Sequence, residues 1–226
     1  METEIAVSAS KLSRHFGAFK AVDEISFDVK KGEIFGFLGA NGAGKTTAIK
    51  MLCGLLKPTE GEATVAGFSI RTDTAMIKKN IGYMSQKFSL YEDLTVKENI
   101  EFYGGIYGLS REKIANKTKL LISELNLENM QNSLTRALPL GWKQRLALSA
   151  SLLHDPPIIF LDEPTGGVDP ISRRNFWRII YEIANRGKTV FVTTHYMDEA
   201  EYCNRVSIMH KGKIIEIGTP TGLKQK

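Results

Sequence analysis

The stretch Glu33–Thr47, EIFGFLGANGAGKTT, sets three local structures in a fixed order. Its first part, Glu33–Leu38, is a nearly continuous apolar run, which is typical of a strand buried on both faces of a sheet. A glycine-rich loop follows, and the amphipathic spacing of Lys45–Leu55 predicts a helix that Pro58 ends. A buried strand, a tight loop and a helix in this order predict a parallel α/β core.

The loop between that strand and that helix carries the clearest chemical signal. Gly39–Thr46 matches the pattern GxxxxGK[ST] in the strand–loop–helix context that the pattern requires. Glycines let backbone N–H groups face a phosphate, and the helix N-terminus adds about half a positive charge. We expect Lys45 to neutralise the β- and γ-phosphates and the Thr46 hydroxyl to bind Mg²⁺. The residues predicted to hold a nucleoside triphosphate are Gly39, Asn41, Gly42, Ala43, Gly44, Lys45, Thr46 and Thr47.

A second apolar run ends in two acids, Asp162 and Glu163. If its strand lies beside the strand before the glycine loop, Asp162 can hold Mg²⁺, and Glu163 can orient or deprotonate an attacking water. Acids that follow such an apolar run are costly to bury without a cation. This cost favours a site over a solvated strand end.

Composition and charge limit the other possibilities. The chain has 226 residues, of which 42% are hydrophobic and 24% charged, so one large packed domain is expected. The net charge of +5, without a dense basic block, favours a solvated surface over nucleic-acid binding. The two cysteines and four histidines lack the spacing of zinc ligands. No apolar run reaches the ~18 residues of a membrane helix and the N-terminus does not resemble a signal peptide, so we predict a cytoplasmic chain.

The rest of the chain alternates strands and helices at both ends, with helices alone in the middle. Ile5–Arg14 and Ile25–Val29 are predicted to pair as a hairpin-like edge. The middle helices are Thr95–Tyr107, Arg111–Leu125 and Trp142–His154. The other predicted strands are Thr64–Ala66, Ile81–Met84, Ile158–Leu161, Thr189–Thr193, Val206–Met209 and Ile214–Ile217, and the other helices are Ile171–Asn185 and Asp198–Tyr202. This order predicts a parallel core that carries a helical insertion.

With these motifs in sequence, nearly the whole chain resembles the nucleotide-binding subunit of an ATP-binding cassette (ABC) transporter. Ser89–Asn99 is most similar to cassettes that export drugs or polymers. The segments that carry the resemblance are Phe16 (the aromatic that stacks on adenine), Gly39–Thr46 (Walker A), Gln86 (Q-loop), Leu138–Gln144 (signature), Ile158–Glu163 (Walker B), Gly167–Pro170 (D-loop) and His195 (switch histidine).

The resemblance implies an α/β fold: a P-loop NTPase (RecA-like) core with a mostly parallel sheet, an N-terminal antiparallel β subdomain and an inserted helical subdomain. One ABC domain would span residues 1–226, with the core in 1–86 and 156–226 and the helical subdomain in 87–155. ATP and Mg²⁺ are the implied cofactors. The implied partners are a second cassette, in a homo- or heterodimer, and a separate polytopic permease, with no direct nucleic acid. The chain would then be peripheral on the inner face of the cell membrane.

The resemblance also assigns roles to single residues. Gln86 would touch Mg²⁺ or the attacking water, and His195 would sense the γ-phosphate beside the catalytic glutamate. Phe16 would stack on adenine, although core packing is an alternative for this residue. Gly141 and Asp169 would contact the nucleotide. The segment Phe88–Leu94 is expected to offer exposed Phe88, Leu90 and Tyr91 to the permease, with a packed loop as the alternative.

One segment departs from the family pattern. Where the family has LSGGQ, this chain has Leu138, Pro139, Leu140, Gly141 and Trp142. Pro139 has neither a hydroxyl nor a backbone N–H to cap the partner's γ-phosphate. The Gly141 amide and the helix dipole remain, so we predict a weakened lid over the partner's site rather than a lost one.

Other functions stay open on the sequence alone. A non-transport ABC ATPase acting on ribosomes or DNA is one, although the chain shows no long linker or coiled-coil insertion. A P-loop GTPase is another, although no NKxD-type base-reading motif is present. A regulatory cassette with little turnover would follow if the altered signature abolishes hydrolysis.

Overall fold

A computed structural model describes residues 4–87 and 89–225 of the chain. The strands are β1 (Ile5–Phe16), β2 (Phe19–Lys30), β3 (Ile34–Leu38), β4 (Glu60–Val65), β5 (Phe68–Ser69), β6 (Ile81–Met84), β7 (Ile158–Asp162), β8 (Thr189–Thr194), β9 (Arg205–His210) and β10 (Lys213–Gly218). The helices are α1 (Lys45–Leu52), α2 (Thr74–Asn80), α3 (Val96–Ile106), α4 (Arg111–Glu124), α5 (Leu140–Ser151), α6 (Pro170–Asn185), α7 (Met197–Ala200) and α8 (Pro220–Lys224). Short 3₁₀ turns occupy Glu128–Met130 and Thr135–Ala137.

The strands form two sheets. The first is antiparallel, in the order β2-β1-β4-β5, and contains the predicted N-terminal hairpin. The second has the order β10-β9-β3-β8-β7-β6, in which the pairs from β9 to β6 are parallel and only the β9–β10 hairpin is antiparallel. The predicted α/β architecture with a mostly parallel sheet and an N-terminal antiparallel sheet is therefore confirmed.

The central strands are buried on both faces because their side chains alternate between two cores. Phe35, Phe37, Phe160 and Phe191 face the antiparallel sheet and α1, with the rings of Phe37 and Phe191 4.7 Å apart. The opposite face packs aliphatic residues of the same strands against α5 and α6, including the fully buried Trp177. Every residue of β3, β7 and β8 is buried, as the apolar runs predicted for β3 and β7.

Parallel pairing brings the carboxyl ends of four strands to one edge. Leu38 pairs with Thr194, Asp162 with Thr193, and Met84 lies opposite Leu161. The glycine loop and the segments after β6, β7 and β8 therefore leave the sheet side by side. Ligand sites of open α/β sheets form at this edge.

The helices α3, α4 and α5 follow one another between β6 and β7 and share a third core around Val96, Ile100, Ile122 and Leu146. Thr95 opens α3 with a capping box, in which its hydroxyl accepts from the Glu98 N–H and the Glu98 carboxylate accepts from the Thr95 N–H. This capping box fixes the start of α3.

Helices α1 and α5 were predicted with wrong ends. Helix α1 stops at Leu52 rather than Leu55, because Gly54 turns the chain at φ +66° before Pro58 is reached. Helix α5 spans Leu140–Ser151 rather than Trp142–His154. Helix α5 begins earlier in the chain than predicted because Pro139 is the N-cap. The Pro139 carbonyl accepts from the N–H groups of Trp142 and Lys143.

The short helices α2 and α8 and strand β5 were not predicted. None of the three is longer than the seven residues of α2, so each shows too few periods for its pattern to be recognised. Within residues 4–87 and 89–225, none of the helices is both long and apolar enough to cross a membrane.

Candidate active site

A cavity of about 270 Å³ lies at the carboxyl edge of the core sheet, and we call it the hydrolytic cavity. It is lined by Phe19, Ala21, Asn41, Gly42, Gly44, Lys45, Thr46, Thr47, Gln86 and Glu163. The cavity thus joins the β1–β2 hairpin, the glycine loop and the segments that follow β6 and β7. Most of the residues predicted to hold a nucleotide meet here.

The glycine loop needs glycine at two positions for different reasons. Gly44 has φ +107°, and a Cβ there would lie 2.3 Å from the Ala21 carbonyl oxygen. Gly39 has ordinary dihedrals, but a Cβ would lie 2.4 Å from the carbonyl oxygen of Met209. The loop is therefore pressed against β2 and β9, which leaves its concave side for a ligand.

Lys45 is almost completely buried, at 4% exposure, and points into the loop. Its Nζ donates to the carbonyl oxygens of Gly39 (2.7 Å) and Ala40 (3.1 Å). It also lies 3.1 Å from Oε1 of Glu163. An ammonium held at the mouth of a loop in this way can exchange its carboxylate partner for a phosphate.

Glu163 stands at the centre of the cluster. It follows β7 with φ +48°, a left-handed conformation that is uncommon for a residue with a side chain, and its N–H donates to Thr193 Oγ1 at 2.9 Å. Its Oε2 accepts from Gln86 Nε2 at 3.1 Å. His195 Nδ1 lies 3.3 Å from the same oxygen, but without the alignment of a hydrogen bond. The carboxylate is thus surrounded by polar groups from three segments.

Asp162 has a different environment from its neighbour. Its Oδ1 accepts from the hydroxyls of Thr46 (3.1 Å) and Thr193 (2.7 Å). Burial raises the pKa of this carboxyl above its ordinary value, and the two hydroxyl bonds oppose that shift. Its Oδ2 is buried without a hydrogen-bond partner among the described residues.

The buried Oδ2 oxygen fits the predicted magnesium site. Mg²⁺ takes one or two carboxylates together with phosphate oxygens and water, and Asp162 and Thr46 offer a carboxylate and a hydroxyl beside the phosphate loop. The chain has no group of three or more His, Cys, Asp or Glu ligands within its described residues. The third predicted ligand, Gln86, turns its amide to Glu163 instead.

The aromatic residue in the hydrolytic cavity is Phe19 rather than the predicted Phe16. Phe16 is 49% exposed and lies under the Arg14 guanidinium, 4.6 Å from the ring centre. Phe19 pairs with it across the hairpin and is 63% exposed beside the cavity. The sequence FGAF places two aromatics around one turn, and only the register of the hairpin decides which one faces the loop. Phe19 and Ala21 are therefore lining residues that sequence reasoning missed.

Gly141 and Asp169 are not brought to the hydrolytic cavity. They line a second cavity, of about 310 Å³, which we call the signature cavity. Asp169 caps α6 there, accepting from the N–H groups of Ile171 and Ser172 at 2.9 Å each. Its hydrogen bonds to Ser172 lower the pKa of this carboxyl. On a single chain, these two residues can reach a nucleotide only if it is bound elsewhere, as by a second cassette.

The predicted permease face is only partly exposed. Phe88 lies outside the described residues. Leu90 is half-buried and packs against two of the cores, so its predicted exposure was wrong. Tyr91 is 48% exposed and contacts Phe102 edge to face, with ring centres 4.6 Å apart.

The chain is similar in sequence to known proteins along most of its length. The sequence model described as ABC transporter matches residues 22–166. The chain is 50% identical over 221 residues to the probable multidrug ABC transporter ATP-binding protein YbhF of Escherichia coli, covering 98% of this chain but only 38% of that protein. It is 38% identical to the linearmycin resistance ATP-binding protein LnrL of Bacillus subtilis, covering 96% of this chain and 70% of that one.

The fold also matches solved structures. A dimeric ATP-binding cassette in a post-hydrolysis state, bound to ADP and Pi, superposes with a TM-score of 0.85 at 26% identity. The match covers 95% of this chain and 98% of that one.

Proposed function

The chain belongs to the ABC transporter family as an ATP-binding domain, and from this premise we propose that it hydrolyses Mg-ATP to power a separate membrane permease. The observation that carries the proposal is the convergence of Lys45, Gln86 and His195 on the Glu163 carboxylate beside the phosphate loop. A nucleotide-binding domain without turnover would not need a carboxylate held in this way. The neighbouring helices α3–α5 support residues 87–155 as a helical subdomain inserted into the core.

Substrate binding uses groups that already face the hydrolytic cavity. The backbone of the glycine loop and the N-terminus of α1 would bind the β-phosphate. Phe19 and, across the hairpin, Phe16 are the aromatics available to stack on adenine, and such stacking is worth about 1–3 kcal/mol. Lys45 would turn from the Glu163 carboxylate to the β- and γ-phosphates, since these offer it stronger negative charge.

The movement of Lys45 to the phosphates also prepares Glu163 to accept a proton. When Lys45 takes a phosphate oxygen, Oε1 of Glu163 loses its cation and becomes free to accept a proton from water. The water oxygen then attacks the γ-phosphorus, the bond to the β–γ bridging oxygen breaks, and the water proton passes to Glu163 or to the departing phosphate. Gln86 and His195, which lie at Oε2, hold the carboxylate and the γ-phosphate in line.

Asp162 and Thr46 are the residues that would hold Mg²⁺, with Gln86 reaching it after a change of its side-chain direction. The ion, when bound, neutralises charge on the phosphates as the γ-phosphoryl group leaves. The chain itself supplies the Asp162 carboxylate, which the Thr193 hydroxyl orients through a hydrogen bond of 2.7 Å.

Export is the direction that the relatives support. One relative is named for multidrug transport and another for linearmycin resistance, and both names fit removal of a compound from the cell. Since the chain spans 38% of the length of the first of these, the activity of the whole protein is also part of the proposal. The dimeric neighbour supports a second cassette as partner. A position at the inner face of the cell membrane follows from coupling to a permease.

Glu163→Gln tests the proposal most directly. This variant should bind ATP as the wild type does, because the phosphate loop is unchanged, but its steady-state phosphate release should fall at least 100-fold. ATP binding can be measured by equilibrium dialysis and turnover by phosphate release on the same preparations. Turnover at the wild-type rate in the variant would remove Glu163 from the mechanism. Competition with GTP and identification of the subunits that co-purify from membranes would test the nucleotide and the permease.

A further inference from the structure

A buried glutamate that the proposed mechanism does not use lies behind the hydrolytic cavity. Glu199, in α7, is fully buried. Its Oε1 accepts from the hydroxyl of Thr165, and its Oε2 accepts from the hydroxyl of Thr194 at 2.5 Å. Arg173 Nε lies 3.4 Å from Oε1 without the alignment of a hydrogen bond. One carboxylate therefore contacts three separate segments of the chain.

Two of these contacts fix the residues on either side of His195. The Thr194 hydroxyl that donates to Glu199 also accepts from the Tyr196 N–H at 3.0 Å. The Arg173 guanidinium lies over the Tyr196 ring, 3.9 Å from its centre. His195 itself has a side chain that is 31% exposed, and its Nδ1 has no aligned hydrogen bond within the described part of the chain. Its position is thus set through its neighbours rather than by its own contacts.

The other contacts of Glu199 reach the segment that follows the catalytic acid. Thr165 is two residues beyond Glu163, and the Gly166 N–H between it and α6 donates to the Glu163 carbonyl at 3.2 Å. Arg173 lies in α6, one turn after Asp169, whose carbonyl accepts the Arg173 N–H at 3.0 Å. Glu199 therefore joins the strand end before His195 to the turn after Glu163 and to the start of α6.

Stability alone does not account for this arrangement. Taking a carboxylate out of water costs several kcal/mol, and a buried ion pair is often no more stabilising than apolar residues of the same volume. The partners of Glu199 share instead their position beside the His195 and Glu163 backbone. We propose that Glu199 is a positioning residue, which holds His195 against Glu163 and couples both to the first turn of α6. This inference rests on the proposed function.

The first test is Glu199→Gln, which keeps the size of the side chain but removes the charge that pairs with Arg173. We expect kcat for Mg-ATP to fall about 10- to 100-fold, as small misplacements of catalytic groups do, while KM changes less than about 3-fold. Combined with His195→Ala, the effects should not multiply, because a positioning residue has no further effect once its target is gone. Full multiplication of the two losses, or wild-type kcat in Glu199→Gln, would overturn the proposal.

Glu33→Gln is the matched control for general destabilisation. Glu33 is also a buried glutamate paired with an arginine, since its Oε1 lies 2.6 Å from Nε of Arg205. This pair joins β2–β3 to β9 at the opposite end of the sheet strands. Loss of this ion pair in Glu33→Gln should lower the melting temperature about as much as Glu199→Gln does. It should leave kcat within about 2-fold of the wild type. An equal loss of kcat in both variants would show a structural role only and would overturn the proposal.

A pair of substitutions at Thr194 keeps the test valid if Glu199→Gln fails to fold. Thr194→Ser retains the hydroxyl and should keep kcat, whereas Thr194→Val removes it at nearly constant volume and should reproduce the loss. Equal kcat in the two variants would overturn the proposal. If His195→Ala slows the enzyme but the Glu199 and Thr194 variants do not, this inference fails and the proposed function stands. An inactive wild-type chain would overturn both.

Discussion

The two cavities of this chain are similar in size but differ in construction. The hydrolytic cavity, of about 270 Å³, takes its polar side chains from the start of α1 and from the segments that follow β6 and β7, and Lys45 and Glu163 are both buried there. The signature cavity, of about 310 Å³, lies where the N-termini of α5 and α6 meet. Its lining includes Pro139 and Gly141 of the signature segment together with Asp169 and Ser172 at the start of α6.

The two constructions hold their polar groups in different ways. Asp162 ends β7 and Glu163 follows it, so hydrogen bonds to β8 hold both residues in place. The signature segment carries a leucine, Leu140, where the family has glycine, and its side chain is 41% exposed beside Gly167. We therefore expect a complete hydrolytic site on this chain and a weak lid for its partner.

The largest effect is expected from a substitution in the hydrolytic cavity. Lys45→Ala removes the cation that faces the phosphates and should weaken ATP binding at least 100-fold, measured by titration with a fluorescent ATP analogue. Lys188→Ala is the control, since Lys188 also joins a carboxylate, Asp155, to a backbone carbonyl but lies away from the cavity. Unchanged affinity in Lys45→Ala would contradict the phosphate-loop assignment.

A substitution in the signature cavity should raise the ATPase rate rather than lower activity. The double change Pro139→Ser with Leu140→Gly restores a hydroxyl donor and close backbone approach, and a single donor to a transition state is worth about 10²–10³ in rate. We expect the ATPase rate of the homodimer at saturating Mg-ATP to rise about 10-fold or more. A wild-type rate already near 1–10² s⁻¹, without a gain in the variant, would show that the Gly141 amide and the helix dipole suffice.

Pairing with a different cassette would distinguish the contributions of the two cavities to the ATPase rate. If the partner carries an intact serine lid, the site that contains this chain's Lys45 and Glu163 should be the faster of the two. Glu163→Gln in this chain should then remove most of the activity of the heterodimer, and the equivalent change in the partner should remove little. Equal losses from the two changes would contradict the asymmetry.

A further prediction concerns the surface beside Gln86. Tyr91→Glu places a charge on an exposed ring that packs edge to face on Phe102, so we expect transport in reconstituted vesicles to fall several-fold. The ATPase of the isolated chain should stay within about 2-fold, because Tyr91 lies outside the hydrolytic cavity. Transport at the wild-type level would place the permease contact elsewhere.

The smallest effect is expected from the raised pKa of Asp162. Because burial raises this pKa above its ordinary value of 3.8, the folded state holds the proton longer than the unfolded state as pH rises. Stability therefore falls through the window that begins near pH 3.8 and ends at the raised pKa, by about 1.4 kcal/mol for every pH unit that this window spans.

Asp162→Asn should lack this fall. Its melting temperature without nucleotide, relative to that of the wild type, should be higher at pH 7 than at pH 4, as measured by calorimetry. The stabilisation that Mg-ATP gives the wild type at pH 7 should be reduced in the variant. A constant difference in melting temperature across the two pH values would contradict the assigned cause of the raised pKa.

Sequence patterns were most informative where the local and tertiary requirements agree. The apolar strands β3 and β7 are buried on both faces, and their apolar runs made them recognisable. The glycine loop was equally clear. Helix α2 is too short for its pattern to be recognised, and the end of α1 at Gly54 was missed although glycine is a local signal for a helix end.

By itself, the sequence determined the parallel core, the phosphate loop and the two acids at the end of the β7 run, because each depends on residue types at a fixed local spacing. The tertiary structure alone decided three further points. The hairpin register placed Phe19 in the hydrolytic cavity, and the strand ends brought Gln86 and His195 to one carboxylate oxygen of Glu163. The packing of α7 buried Glu199 behind them. These contacts join residues far apart in the chain, so their geometry exists only once the sheet has formed.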